Sequence, residues 1–327
     1  MKSLSLEHSI LCAISFFDSL SYPLTVAEIE EFLMFYPNPV GFVSILEALD
    51  FFIANKRIES SNGMYALAGR KDLIMQRLAK YVPNEKKYRI ACRMSAILSH
   101  IPFVRMICVV NSLSLQNAQE ESDIDLFIVA KHSHIWLTRL LVVAALDLMR
   151  ARPRAAVRKN MICTCFFASC SSLDFSSLQI PRSVQGEPPC GIPDIYLAWW
   201  VSRFVPLYDH GGYAEKLFSS NEWAREVFGN RRLYRTVHNR MVRQNFFGKS
   251  VKTIAERILA CIGGALERAS RAIQFSVLPY SLRSICNMDS RVVMNDNVLK
   301  FHIRDMREKI RTSWHEKCKL YGIRFLP

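Results

Sequence analysis

Two acids separated by a single residue, Asp123 and Asp125, stand in the segment NSLSLQNAQEESDIDLFIVA. On an extended chain, side chains two positions apart share one face, so this spacing brings the carboxylates within a few ångströms of each other. Two such charges repel unless a cation lies between them. Hard divalent ions, Mg2+ or Mn2+, take oxygen ligands of this kind and keep positions for water and phosphate oxygens. Ile124 and the run LFIVA after Asp125 are apolar, which predicts acids at the end of a buried strand and not on a solvated charge run. Upstream, the apolar run VRMICVV predicts a second strand, ending at Asn111-Ser112 where a short helix begins. A serine there offers a hydroxyl, beside backbone N–H groups, to a phosphate. The eleven positions from Ser112 to Asp123 let one strand hand over to a helix and return as its neighbour. A phosphate cradle beside metal-binding acids is what nucleotidyl transfer needs, since metal ions neutralise developing charge and the protein positions the reactants.

Other residues are weaker candidates. Lys131 follows the Asp strand and Arg139 sits in the helix segment WLTRLL; both are candidate phosphate contacts. His132 and His134 straddle a helix start and read as surface or capping groups. Trp199 and Trp200 read as core, although an aromatic ring can stack on a base. The segment LKFHIRD sets Lys300, His302 and Arg304 on one strand face, a structural arrangement before it is a phosphate contact. Cys163 and Cys165 form a lone C-x-C on a strand, with side chains on one side. The ten cysteines lack the spacing of a zinc site and read as small buried residues in a reducing compartment.

Three regions position these groups. Residues 1–70 predict a winged helix-turn-helix: LEHSILCAISFFDSL, then VAEIEEFL capped by Thr25 with Glu28 closing a capping box, then VGFVSILEALDFFIANK, and a hairpin turning at Asn62-Gly63. The third helix is poor in Arg and Lys, so protein contact competes with DNA contact. Residues 71–190 predict two leading helices with a turn at Pro83-Asn84, then strand, short helix, strand, helix, strand, an α/β pattern. Residues 191–327 read as helical, from DIYLAWWVSRFVPLY to the charged tail.

The 327 residues suffice for more than one domain, and half of them are hydrophobic. The net charge of +14 favours polyanionic partners, nucleotides or nucleic acid. Basic residues thicken after position 150: Arg150, Arg152, Arg154, Arg158 and Lys159, then Arg225, Arg231, Arg232, Arg235, Arg240 and Arg243. The N-terminus lacks the features of a signal peptide, and the longest apolar runs fall short of a membrane span. A cytoplasmic protein with no membrane partner is expected.

The span 107–129 resembles the DNA polymerase β-type nucleotidyltransferase superfamily, whose motif is Gly-Ser, about ten residues, then Asp-x-Asp between apolar residues. Here it stands as Asn111-Ser112 … Ser122-Asp123-Ile124-Asp125-Leu126. FFDSLSYPLT, NSLSLQNAQEESDIDLFIVA, WLTRLL, DIYLAWWVSRFVPLYD and VVMNDNVLKFHIRDMREKI resemble uncharacterised bacterial proteins that join an N-terminal winged helix to this domain. The resemblance implies an α/β (α+β) nucleotidyltransferase core with a small mixed sheet. It also implies an NTP substrate, Mg2+ or Mn2+ on Asp123 and Asp125, and transfer of NMP to a hydroxyl. Two departures stand out: Asn111 replaces the motif's glycine, and the strand MICTCFFAS lacks the third carboxylate that active members use. Asp174 and Asp194 lie beyond that strand. A degenerate, nucleotide-sensing DNA-binding regulator is therefore a second expectation. An antitoxin-like partner of a small helical toxin is a third, against which the chain length stands.

Overall fold

The computed structural model describes residues 4–154, 157–181, 192–228 and 240–323. Helix α1 (Leu6–Ser19) leads to β1 (Leu24–Thr25) and α2 (Val26–Glu31). The junction is the capping box that the spacing predicts: Glu28 N–H donates to Thr25 Oγ1 at 3.3 Å, and Thr25 N–H to the Glu28 carboxylate at 2.9 Å. Next come α3 (Phe42–Ala54) and a hairpin of β2 (Ile58–Ser61) and β3 (Met64–Leu67). Asn62 and Gly63 have φ of 51° and 70°, the left-handed pair that a two-residue turn between twisted strands requires. The three strands form a small sheet in the order β1-β3-β2. The outward face of α3 carries exposed Phe42, Val43 and Phe51 with the acids Glu47 and Asp50, and no cation.

Helices α4 (Asp72–Ala79) and α5 (Tyr81–Leu98) meet at Lys80, not at Pro83-Asn84 as the sequence suggests. Pro83 falls in the first turn of α5, where a missing N–H breaks no helical hydrogen bond. Asn84 is buried instead of turning the chain: it donates to the Lys80 and Ala118 carbonyls and accepts the Ala118 N–H at 2.9 Å.

The predicted alternation then appears as β4 (Val104–Val109), α6 (Asn111–Ser114), β5 (Ile124–Ala130), α7 (Ile135–Leu148) and β6 (Ile162–Ser169). The C-terminal region corrects the expectation of a mainly helical segment, because it supplies three of the six strands of the main sheet, one of them in the LKFHIRD segment that read as a strand. Helix α8 (Ile195–Val201) stops short of the Phe204-Val205-Pro206 segment, and Val205–Asp209 is β7. Pro206 cannot continue a helix, and β7 is an edge strand, where a missing ladder donor is tolerated. Helices α9 (Tyr213–Ser220), α10 (Phe246–Cys261), α11 (Gly263–Ser276) and α12 (Tyr280–Arg283) follow, then β8 (Val292–Met294), β9 (Val298–Phe301) and α13 (Arg307–Leu320).

The sheet runs β7-β4-β5-β6-β9-β8 and is mixed, with β5 and β6 parallel and the other neighbours antiparallel. One face, through Phe127, Val129, Phe166 and Ala168, joins α8 and the N-terminal helices in a single apolar core. The other, through Ile128, Phe167 and Leu299, packs with α5 and α7. Helix α13 returns to α1, where the Trp314 indole N–H donates to the Cys12 carbonyl at 3.0 Å. Helices α10 and α11 dock through polar groups. Glu256 pairs with Arg105 at 2.7 Å, and Glu267 accepts the Trp136 and Leu137 N–H groups. Among the described residues no helix is long and apolar enough to cross a membrane.

Candidate functional site

The site begins at the turn from β4 into α6. Asn111 has φ of 56°, in the left-handed region that asparagine tolerates better than most residues. This explains how Asn can stand at a position where glycine is expected, and here it adds a side chain with two uses. Asn111 Oδ1 accepts the Trp200 indole N–H from α8 at 2.7 Å, and the same side chain works against the rise of the Asp125 carboxyl. Backbone pairing fixes the same junction, Val110 N–H donating to the Asp125 carbonyl at 3.2 Å. Ser112 is exposed in the first turn of α6. That helix is a single turn, so what it offers a phosphate is local N–H groups and a hydroxyl, not an extended dipole.

Asp125 is the second residue of β5 and lies on the face shared by Phe127 and Val129; Asp123 sits just before the strand. Burial pushes the Asp125 carboxyl up to about 6. The Asn111 hydrogen bond opposes this, the Asp123 charge adds to it, and the Cys163 hydrogen bond and Arg158 charge oppose it again. Asp123 accepts Arg158 at 3.0 Å, from a guanidinium that is 66% exposed. Behind this loop, Lys87 is fully buried and donates to the Ser122 carbonyl at 2.6 Å and to Asn160 at 3.1 Å. The acids are thus held on a braced loop and strand, with one carboxyl lacking a compensating cation of its own.

The neighbouring strand carries thiols where an acid would complete the set. Cys163 is the register partner of Asp125 across the parallel β5–β6 pair, and its Sγ lies 2.8 Å from that of Cys165. A shift in register between Asp125 and Phe127 crowds these two side chains together. Asp174 and Asp194 are engaged elsewhere. Asp174 is exposed and accepts the Ser176 N–H in its own turn. Asp194 is buried, caps α8 by accepting the Leu197 N–H at 2.8 Å, and pairs with Arg307 at 3.0 Å.

Among the described residues no group of three His, Cys, Asp or Glu side chains is arranged to hold a metal ion. Two carboxylates remain compatible with an ion that completes its shell from phosphate oxygens and water, the usual arrangement for Mg2+. The half-buried Asp125 carboxyl, with Asp123 two residues before it, fits that donor set.

Asn111 and Ser112 thus open the turn whose backbone pairs with Asp125, and Asp123 stands two residues before that acid, while the other two candidates lie elsewhere. Lys131 follows the opposite end of β5, six positions from Asp125, which at about 3.3 Å per residue is roughly 20 Å away; its ammonium lies over the Phe103 ring. Arg139 lies on the other side of the sheet. Its guanidinium covers the Phe301 ring at 4.4 Å and bonds to Gln274, and burial lowers it to about 10. His132 is exposed and bonds to Ser171; His134 stands at the N-cap of α7 but its side chain makes no cap bond, its Nδ1 meeting the His132 carbonyl at 2.8 Å instead.

Lys300 and His302, which read as structural, enter the site. Lys300 pairs in register with Phe166 on β6, whose ring stacks on Trp200 at 5.2 Å and 6°. A cavity of about 310 Å3 opens between α6, α8 and the end of β9, lined by Asn111, Ser112, Tyr196, Trp200, Lys300 and His302 among others. Tyr196 was not singled out in the sequence, and Trp200 read as core with base stacking as its other use; alternation in LKFHIRD is the one signal that foretold Lys300, His302 and Arg304.

Much of the basic stretch is neutralised locally. Arg152 pairs with Asp147, Lys159 with Glu120 and Glu121, and Arg240 with Glu85. Arg231, Arg232 and Arg235 lie outside the described residues. No family model, curated protein or solved structure matches this chain.

Proposed function

We propose that the cleft between α6 and β5 binds a nucleoside triphosphate with Mg2+ or Mn2+ and transfers NMP to a hydroxyl. The observation that carries this reading is the backbone pairing of the α6 turn with the acid strand, Val110 N–H donating to the carbonyl of Asp125, the half-buried acid of β5, at 3.2 Å. It joins the turn that would face phosphate to the acid that would face the metal. Asp123 and Asp125 would hold the ion, Arg158 swinging away from Asp123. Ser112 and the adjacent N–H groups would hold terminal phosphate oxygens. When bound, the ion supplies charge neutralisation at the reacting phosphate. The protein's part is to orient the phosphates against β5, beside the Tyr196 and Trp200 wall.

The register of Cys163 against Asp125 favours one further reading, a nucleotide sensor that binds without turnover. A thiol is a poor hard-metal ligand and gives no carboxylate base. The two readings separate in one assay. Purified protein is incubated with Mg2+, each α-labelled NTP and, in turn, RNA, protein and small-molecule fractions. Label transfer that disappears in Asp125→Ala supports the transferase. Saturable NTP binding with no transfer to any fraction supports the sensor, and no binding defeats both.

A further inference from the structure

We infer that the acceptor is a small molecule bearing a phosphate group, seated where α8 faces the end of β9; this rests on the transferase reading above. The strand order supplies the direction. Ser112 follows β4 on one side of β5, whereas Lys300 and His302 follow β6 on the other. Two strand spacings of about 4.8 Å put the β9 side chains roughly 10 Å from Asp125. In-line displacement places leaving and attacking oxygens on opposite sides of the transferred phosphorus. With the pyrophosphate over α6, the attacking hydroxyl comes from the β6–β9 side.

The chemistry of that side is anion-binding. Arg304 is exposed, lines the cavity, and has no carboxylate partner among the described residues. Lys300 is buried, with its ammonium committed to one carbonyl, that of Ser290, which leaves donors over. His302 Nδ1 is buried and has no hydrogen-bond partner, a cost that an unfilled pocket would carry and a ligand would relieve. Arg307 lines the same cavity but is spent on Asp194 and Asp305, so it shapes the wall. The volume of about 310 Å3 is at the low end for a small-molecule site, which fits a compact acceptor. Aromatic Tyr196 and Trp200 cover the less polar part of such a molecule.

The reaction balances simply. The acceptor oxygen bonds to the α-phosphorus, the bond from that phosphorus to the bridging oxygen of pyrophosphate breaks, and the hydroxyl proton passes to water.

Orthophosphate serves as the probe, titrated by equilibrium dialysis with and without saturating Mg2+ and the non-hydrolysable analogue AMPCPP. The expected result is one equivalent of phosphate bound in both conditions, with affinity reduced at least tenfold in Arg304→Ala while AMPCPP affinity is unchanged. Arg304 is exposed, so that variant folds; Lys300→Met serves as a second probe of the same pocket. Displacement of phosphate by AMPCPP, or phosphate binding indifferent to Arg304, overturns the assignment. Failure of AMPCPP itself to bind overturns the nucleotide reading, and the acceptor role with it, while the Arg304-dependent phosphate titration still reports on the cavity.

Discussion

Asp125→Asn is expected to lower Mg2+-dependent nucleotide binding and any label transfer by more than about 100-fold, since even residues behind a metal ligand cost 10–100-fold when removed. Asn preserves shape but removes the charge that a divalent ion requires. Folding moves the other way. The folded protein holds the Asp125 proton up to about 6, above the ordinary carboxylate value of 3.8. Between those values the native state binds more proton than the unfolded chain, so without a cation stability falls as pH rises from about 4 to 6. Asp125→Asn removes that slope. Thermal melts between pH 4 and 8, paired with AMPCPP titrations, check both halves. Undiminished nucleotide binding in the variant would contradict the role, and a general loss of stability would mark Asp125 as structural.

The second large effect is on stability. Arg307→Ala is expected to destabilise the fold by about 3–5 kcal/mol, the range for removing one partner of a buried ion pair. Arg307 opens α13 and is nearly inaccessible; it donates to Asp194 at 3.0 Å, to Asp305 at 2.5 Å, to Ser290 at 2.7 Å and to the Leu178 carbonyl at 2.5 Å. Asp194, only 1% exposed, is raised by burial, and the Arg307 charge opposes that shift. Alanine would strand this carboxylate at the cap of α8 and slacken the wall that holds Tyr196 and Trp200. Urea midpoints measure the loss, and adding Asp194→Asn should recover part of it because the stranded charge is gone. A change below about 1 kcal/mol would fall in the range of a surface pair, and the network would then not hold the wall.

What could be read in the sequence was local. The Asp123/Asp125 strand, the turn at Asn111-Ser112, the Thr25–Glu28 cap and the Asn62-Gly63 hairpin each depend on residues within a few positions, so spacing alone exposed them. The rest depends on pairings between distant segments. Arg307 meets Asp194 across 113 positions, and no periodicity marks that contact. Arg139 looked available for phosphate because α7 follows the Asp strand, yet α7 packs on the sheet face opposite Asp125. Strand β7 was concealed by the apolar run continuing from α8, and the arrival of β8 and β9 beside β6 is a choice of tertiary packing. Cys163 read as an ordinary buried thiol until strand register set it against Asp125.

The most direct test of the metal–nucleotide site is the electron paramagnetic resonance of Mn2+ titrated into the protein with AMPCPP. One tightly bound Mn2+ per chain, appearing only with nucleotide and lost in the Asp123→Asn/Asp125→Asn double variant, is the predicted result. A bound Mn2+ signal that survives loss of both acids, or no bound Mn2+ at saturating nucleotide, would contradict it.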